Sequence, residues 1–167
     1  MAILNGDLDW RVFESNEKLR GAFRGIPAKT RIDPGAVLCR FITTETGKKR
    51  YRDSGIYSSP WWLDWSTTAS MLDRWKRARV APRDVIRGRL AVTRQFSPRL
   101  DSMVQIILTR PVYAWKGIAR HQEDKASAVT YLGGGEQLFL PNLVSDPGSL
   151  SSAVAILHCY CSVDALV

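Results

Sequence analysis

Every lysine and arginine of this 167-residue chain lies between Arg11 and Lys125. The only acids beyond that point are Glu136, Asp146 and Asp164. A stretch so poor in charge can be buried on both faces, whereas the charged body before it cannot. The pattern predicts that residues 126–167 supply central strands of a sheet and that the body turns a positive face outward. With 24 Lys and Arg against 16 Asp and Glu the formal charge is +8, which suits either an anionic partner or simple solvation.

The length fits one domain over residues 1–167. A hydrophobic content of 45% is enough for a core without metals or disulfides. Three cysteines, Cys39, Cys159 and Cys161, make a poor disulfide framework, so a reducing compartment is expected. The N-terminus lacks the positive region and apolar run of a signal peptide. No stretch approaches the ~18 apolar residues of a membrane span. A soluble chain is expected, without membrane contact, either cytoplasmic or exported by a route that ignores such signals.

Residues 1–35 read as an N-terminal segment with one helix, capped by Ser15 and stopped at Gly25-Ile26-Pro27. Asp33-Pro34-Gly35 is a turn, because proline presets φ and glycine accepts φ > 0. Residues 36–44 read as a strand. Asp64 or Ser66 can cap a helix that runs to Arg79, with Ala69, Leu72, Trp75 and Ala78 as its buried stripe and Pro82 marking its end. From residue 85 the period reads as two: Ile86, Leu90 and Val92 on one face of a strand, Arg87 and Arg89 on the other. Strands over 103–109, 112–119, 136–140 and 152–163 follow, with a polar loop at 120–127. Strand runs segregated from helices favour α+β over a doubly wound sheet.

Few residues in this framework suggest chemistry. Arg40 sits inside the apolar run Val37-Leu38-Cys39-Arg40-Phe41-Ile42, so it needs an anion, a cleft, an ion pair or an edge facing water. Tyr57-Ser58-Ser59-Pro60-Trp61-Trp62 gathers hydroxyls and aromatics that can orient an arginine or stack on a flat ring; a Ser-Pro turn over core tryptophans reads equally well. Gly133-Gly134-Gly135 before Glu136 permits close approach of a ligand to the backbone, or a flexible turn; no phosphate-loop pattern follows. His121, His158 and the Cys159-x-Cys161 pair do not form a convincing metal set, and no metal is expected.

In their order, these features resemble the Arg-Ser-Glu class of ADP-ribosyltransferases, of the bacterial toxin and effector kind. Arg40 matches the arginine of the first core strand, and Tyr57-Ser58-Ser59-Pro60 the serine motif. Gly133-Gly134-Gly135-Glu136-Gln137-Leu138-Phe139-Leu140-Pro141 matches the strand that carries the acid and ends in Leu-Pro. The resemblance covers residues 36–163. It implies a split, mixed or antiparallel β-sheet core with a few flanking helices. It also implies NAD as cofactor, held by Arg40, Tyr57, Ser58, Ser59 and Trp61.

The acid of that class hydrogen-bonds the nicotinamide ribose and stabilises an oxocarbenium-like transition state. Counting back from Pro141, its usual position falls on Gln137; two residues before Glu136, where the class has Glu or Gln, stands Gly134. Glu136 is favoured over Gln137 as the catalytic residue, because a carboxylate can stabilise developing positive charge and an amide does so poorly. Glu136 is then expected to open a strand beside the one bearing Arg40, with both side chains in one cleft and the glycines folding over nicotinamide.

The implied partners are a macromolecular acceptor, either nucleic acid or acidic protein, and an immunity protein. The implied place of action is a target-cell cytoplasm. Two other functions fit the residues. Arg87 and Arg89, with Lys76, Arg77 and Arg79, could make a basic nucleic-acid-binding module without catalysis. His121 with Glu123 could serve a nuclease-type toxin.

Overall fold

The structure is a computed structural model and describes residues 3–44, 59–141, 143 and 154–163, with the backbone alone for 154–161. Tyr57, Ser58 and the basic run 48–50 lie outside the described residues. In chain order the elements are α1 (Trp10–Ser15), α2 (Glu17–Ala22), β1 (Ala28–Ile32), β2 (Val37–Ile42), β3 (Trp61–Asp64), α3 (Trp65–Ala78), α4 (Pro82–Leu90), β4 (Ser102–Leu108), β5 (Val112–Ile118), β6 (Gln122–Asp124), β7 (Val129–Tyr131), β8 (Glu136–Phe139) and β9 (Val154–Ser162). Seven strands form one sheet in the order β1-β5-β8-β3-β2-β4-β9, and every pairing is antiparallel. The fold is α+β, as the segregation of strands from helices implies. The uncharged tail supplies one central strand, β8; β9 lies at the sheet edge, not the centre.

Strand alternation sorts the core. Leu38, Trp62, Val104, Ile106, Ala114 and Leu138 share one face and one apolar cluster. The other face carries two clusters. Phe13, Leu19 and Phe23 of the N-terminal segment cover Trp115, Trp61 and Phe139. Met71 and Ile86 of α3 and α4 cover Cys39, Phe41, Leu63 and Met103. A recess opens between the two helical groups.

Local sequence explains most elements. The Asp64 carboxylate accepts from Thr67 N at 2.7 Å and starts α3, whose last turn carries Lys76 and Arg77 against the dipole. Its buried residues are Thr68, Met71 and Trp75: Trp75 is as expected, Ala69 and Leu72 are half-buried, and Ala78 is exposed. The N-terminal helix expected from Ser15 is instead two short helices. Asn16 separates them in extended conformation and caps the second through its side chain to Leu19 N.

The strand expected from residue 85 is a helix, α4. Pro82 does close off α3, but it also occupies the first position of α4, Asp84 falls in the first turn, and Arg87 and Arg89 fall in the last. Ile86 and Leu90 satisfy helical i, i+4 spacing as well as period two, so their apolar pattern alone cannot choose. The loop at 120–127 contains half of a hairpin, β6 with β7. No helix of the described residues is long and apolar enough to cross a membrane.

Candidate active site

The sheet forks at β3. Its first residues pair with β8, Trp61 opposite Phe139 and Trp62 opposite Leu138. Its last residues pair with β2, Cys39 opposite Leu63 and Leu38 opposite Asp64. Beyond Cys39, β2 keeps its pairing with β4 but has none with β3. Arg40 is therefore the first residue past the fork.

A cleft of about 470 Å³ opens there, lined by Arg40 and Phe41 of β2, Trp61 of β3 and Gln137 of β8. One wall is α2, through Lys18, Gly21 and Ala22; the other is the stretch from Leu90 to Thr93 with Phe96. That volume lies within the range of small-molecule and cofactor sites. Three cations, Lys18, Arg40 and Arg120, line it, and no carboxylate does so among the described residues. Arg40 is 8% exposed.

The walls are tied down by groups that sequence patterns do not flag. Gln137 Nε2 donates to Ala22 O at 2.9 Å, and Gln122 Nε2 to Gly21 O at 3.1 Å. Together with Arg120 N on Ala22 O, these bonds satisfy the last carbonyls of α2. Since Ala22 O can only accept, the Gln137 amide has its NH2 on the helix, and its carbonyl oxygen is not used in that bond. The opposite wall hangs on Arg87. Its guanidinium, buried rather than displayed on a strand face, donates to Val92 O at 3.1 Å, Ser97 O at 2.8 Å and Pro98 O at 2.6 Å. Burial lowers its pKa, yet it stays charged.

Trp61 stands in an aromatic row, its ring 5.7 Å from Phe23 and 4.9 Å from Phe139. Ser59 is buried at the entry to β3. Its carbonyl accepts from Trp62 Nε1 at 2.9 Å, and its hydroxyl lies 3.4 Å from Trp61 N.

Glu136 opens β8 as expected, but β3 lies between that strand and Arg40. Its side chain points to the face away from the cleft, where it pairs with Lys116 at 3.2 Å and is 45% exposed. Lys116 also holds Asp64 at 3.1 Å. The glycine run does not fold over the cleft either. Gly133 N, Gly134 N and Gly135 N donate to Gly88 O, Ala119 O and Arg89 O, which pins the run against α4 and the end of β5. A Cβ on Gly133 would stand 2.4 Å from Ala119 O, and one on Gly135 2.8 Å from Arg89 O, so close packing demands glycine at both. Arg89, like Arg87, lies on α4, which removes the two-arginine strand face. His121 is exposed with no partner acid shown, and no cluster of metal-ligating side chains occurs among the described residues.

This α+β architecture is shared with solved structures. The chain is similar to one of the complex of Tne2 with Tni2, with a TM-score of 0.51 and 13% identity over 96% of this chain and 97% of that one. It is also similar to one of the complex of Rhs1-CT with its cognate immunity protein RhsI1, with a TM-score of 0.53 and 15% identity over 84% of this chain and 83% of that one. At such identity the likeness is one of fold. No protein-family model and no curated protein matches the sequence.

Proposed function

We propose that this chain is a polymorphic toxin domain that binds NAD in the forked cleft and transfers ADP-ribose to a macromolecular acceptor. The observation that carries this reading is the convergence of Arg40, Trp61 and Gln137, from three neighbouring strands, on one recess edged by cations and free of described carboxylates. A dinucleotide diphosphate is a flat-ringed anion. Arg40, Lys18 and Arg120 supply charge for its phosphates, and Trp61 an aromatic wall for a ring.

As nicotinamide leaves, positive charge develops on the ribose. Gln137 lines the recess with its NH2 held by Ala22 O, and its amide oxygen can hold a ribose hydroxyl and set a dipole against that charge. We therefore assign the role expected of Glu136 to Gln137, whose side chain lies in the cleft. Of the expected cofactor set, Ser59 stands buried at the entry to β3, while Tyr57 and Ser58 lie outside the described residues. An immunity protein that covers the cleft is the natural partner, since Rhs1-CT is bound to one.

Hydrolysis is the second reading, and the lack of a described carboxylate in the cleft favours it. Water that captures the oxocarbenium passes its released proton to bulk solvent, whereas a protonated amine or guanidinium must first give a proton to a base before it can attack. Incubation with NAD labelled in its adenylate half tests both readings. Release of nicotinamide with label in a macromolecule supports transfer, and release with label only in free ADP-ribose supports hydrolysis. No release, together with no NAD binding in calorimetry, rejects both.

A further inference from the structure

A second cavity of about 280 Å³ opens at the start of β8, between the first turns of α3 and the glycine run. Arg74 and Ser70 of α3, Arg89 of α4, and Gly134 to Glu136 line it. Packing against carbonyl oxygens requires glycine at Gly133 and Gly135, and a φ of +88° favours it at Gly134. The nearest atom to a Cβ there is a guanidinium nitrogen of Arg89, at 3.6 Å. The bare Cα thus leaves that guanidinium uncovered toward the cavity.

The neighbouring acids are already engaged. Asp64 accepts from Ser66, Thr67 N and Lys116, and Glu136 is held by Lys116. Arg89 is half-buried, yet neither it nor Arg74 finds a carboxylate or carbonyl among the described residues. A partly desolvated guanidinium with no anion is costly, and its planar fork matches phosphate oxygens. Ser70 lies one turn before Arg74 on the same helix face and adds a hydroxyl donor. Exposed Lys76, Arg77 and Arg79 continue the positive charge to the end of α3, with Asp73 among them.

We infer that the second cavity holds a backbone phosphate of a nucleic-acid strand, clamped by Arg74, Arg89 and Ser70, with the strand continuing over the end of α3. The cavity is roomier than a bare ion needs and admits the attached sugar. Nothing in its lining reads bases, so binding is independent of sequence. The inference stands apart from NAD chemistry in the cleft; joined to the transferase reading, it makes nucleic acid the acceptor class.

The test is binding of a single-stranded RNA 12-mer to the full chain across a salt series. Log affinity should fall linearly with log salt. Arg74→Gln/Arg89→Gln should weaken binding at least about tenfold and make the slope shallower by about 0.7, the share of one neutralised phosphate on a single strand. Neither side chain makes a described bond, so the variant should keep its melting temperature; Arg89→Lys, which retains the charge, should keep the slope. Arg11→Gln/Arg31→Gln, which removes equal charge elsewhere, should keep the slope, and Arg40→Ala in the cleft should bind as the parent does. Absence of RNA binding at low salt overturns the inference. So do an unchanged slope in the Arg74/Arg89 variant, an equal loss in the charge-matched control, loss on Arg40→Ala, or equal binding of polyglutamate.

Discussion

At the scale of single residues, Gln137 separates what a sequence can show from what a fold decides. Counting back from Pro141 reaches it, but electrostatic reasoning alone prefers the carboxylate next door. One residue along a strand reverses the face, and Glu136 is thereby sent to Lys116 on the far side. The amide has work that an acid cannot do, since it donates to Ala22 O. Gln137→Glu would set a carboxylate against a carbonyl, and it should destabilise the fold by about 1–3 kcal/mol without raising turnover. Higher nicotinamide release at an unchanged melting temperature would show instead that the glutamine is a disabled acid. Gln137→Ala should slow release by about tenfold to a hundredfold. Glu136→Gln should leave release within about twofold, because an exposed ion pair contributes only about 0–1 kcal/mol. Arg40→Ala should weaken NAD binding by about 1.5–3 kcal/mol in calorimetry, the worth of a charged hydrogen bond.

Among the elements, those with unambiguous punctuation were legible. The Asp33-Pro34-Gly35 turn, the Asp64 cap, and β2, β4, β5 and β8 fall within a residue or two of their expected places. What failed had a physical reason in each case. In α4, Ile86 and Leu90 fit both periods, so only Pro82 and the charge order along the segment mark a helix. A split sheet was implied by the resemblance, but its place at β3 was not legible, because it depends on which strands stop pairing after Cys39, a matter of long-range register. Arg87 was invisible as a structural residue because its acceptors are backbone carbonyls, which no sequence displays. Arg87→Met should cost about 2–4 kcal/mol in denaturant unfolding, since three carbonyls lose a buried charged donor. It should also raise the KM for NAD, because the stretch it holds is a cleft wall. A loss of stability with KM unchanged would mean that the wall holds its place without it.

The whole molecule combines a large positive charge with acids that are stabilised in the folded state, and this sets its response to pH. Burial alone would raise the pKa of Asp64, but hydrogen bonds from Thr67, Ser66 and Lys116 outweigh it and bring the value down to about 2. Asp101 is lowered as well: burial opposes the shift, and Thr44, Ser102 and Arg99 drive it. A carboxylate with a depressed folded pKa stabilises the fold above the ordinary carboxylate range, near pH 4, and loses that contribution as pH falls toward the folded value. For Asp64 the difference is worth about 2 kcal/mol. In the same window the acids lose charge while the 24 Lys and Arg keep theirs, so self-repulsion grows as the bonds fail. Stability should therefore be nearly flat from about pH 7 to 5 and drop steeply between about pH 4 and 2. Asp64 also caps α3 and anchors Lys116 between β5 and β8, so its protonation loosens both the helix start and the strand that carries Gln137. Asp64→Asn should be less stable at neutral pH and show a shallower acid slope, whereas Glu123→Gln, at an exposed position in the β6 hairpin, should keep the parent slope. An Asp64→Asn curve parallel to the parent between pH 4 and 2 would place the acid sensitivity in the net charge alone.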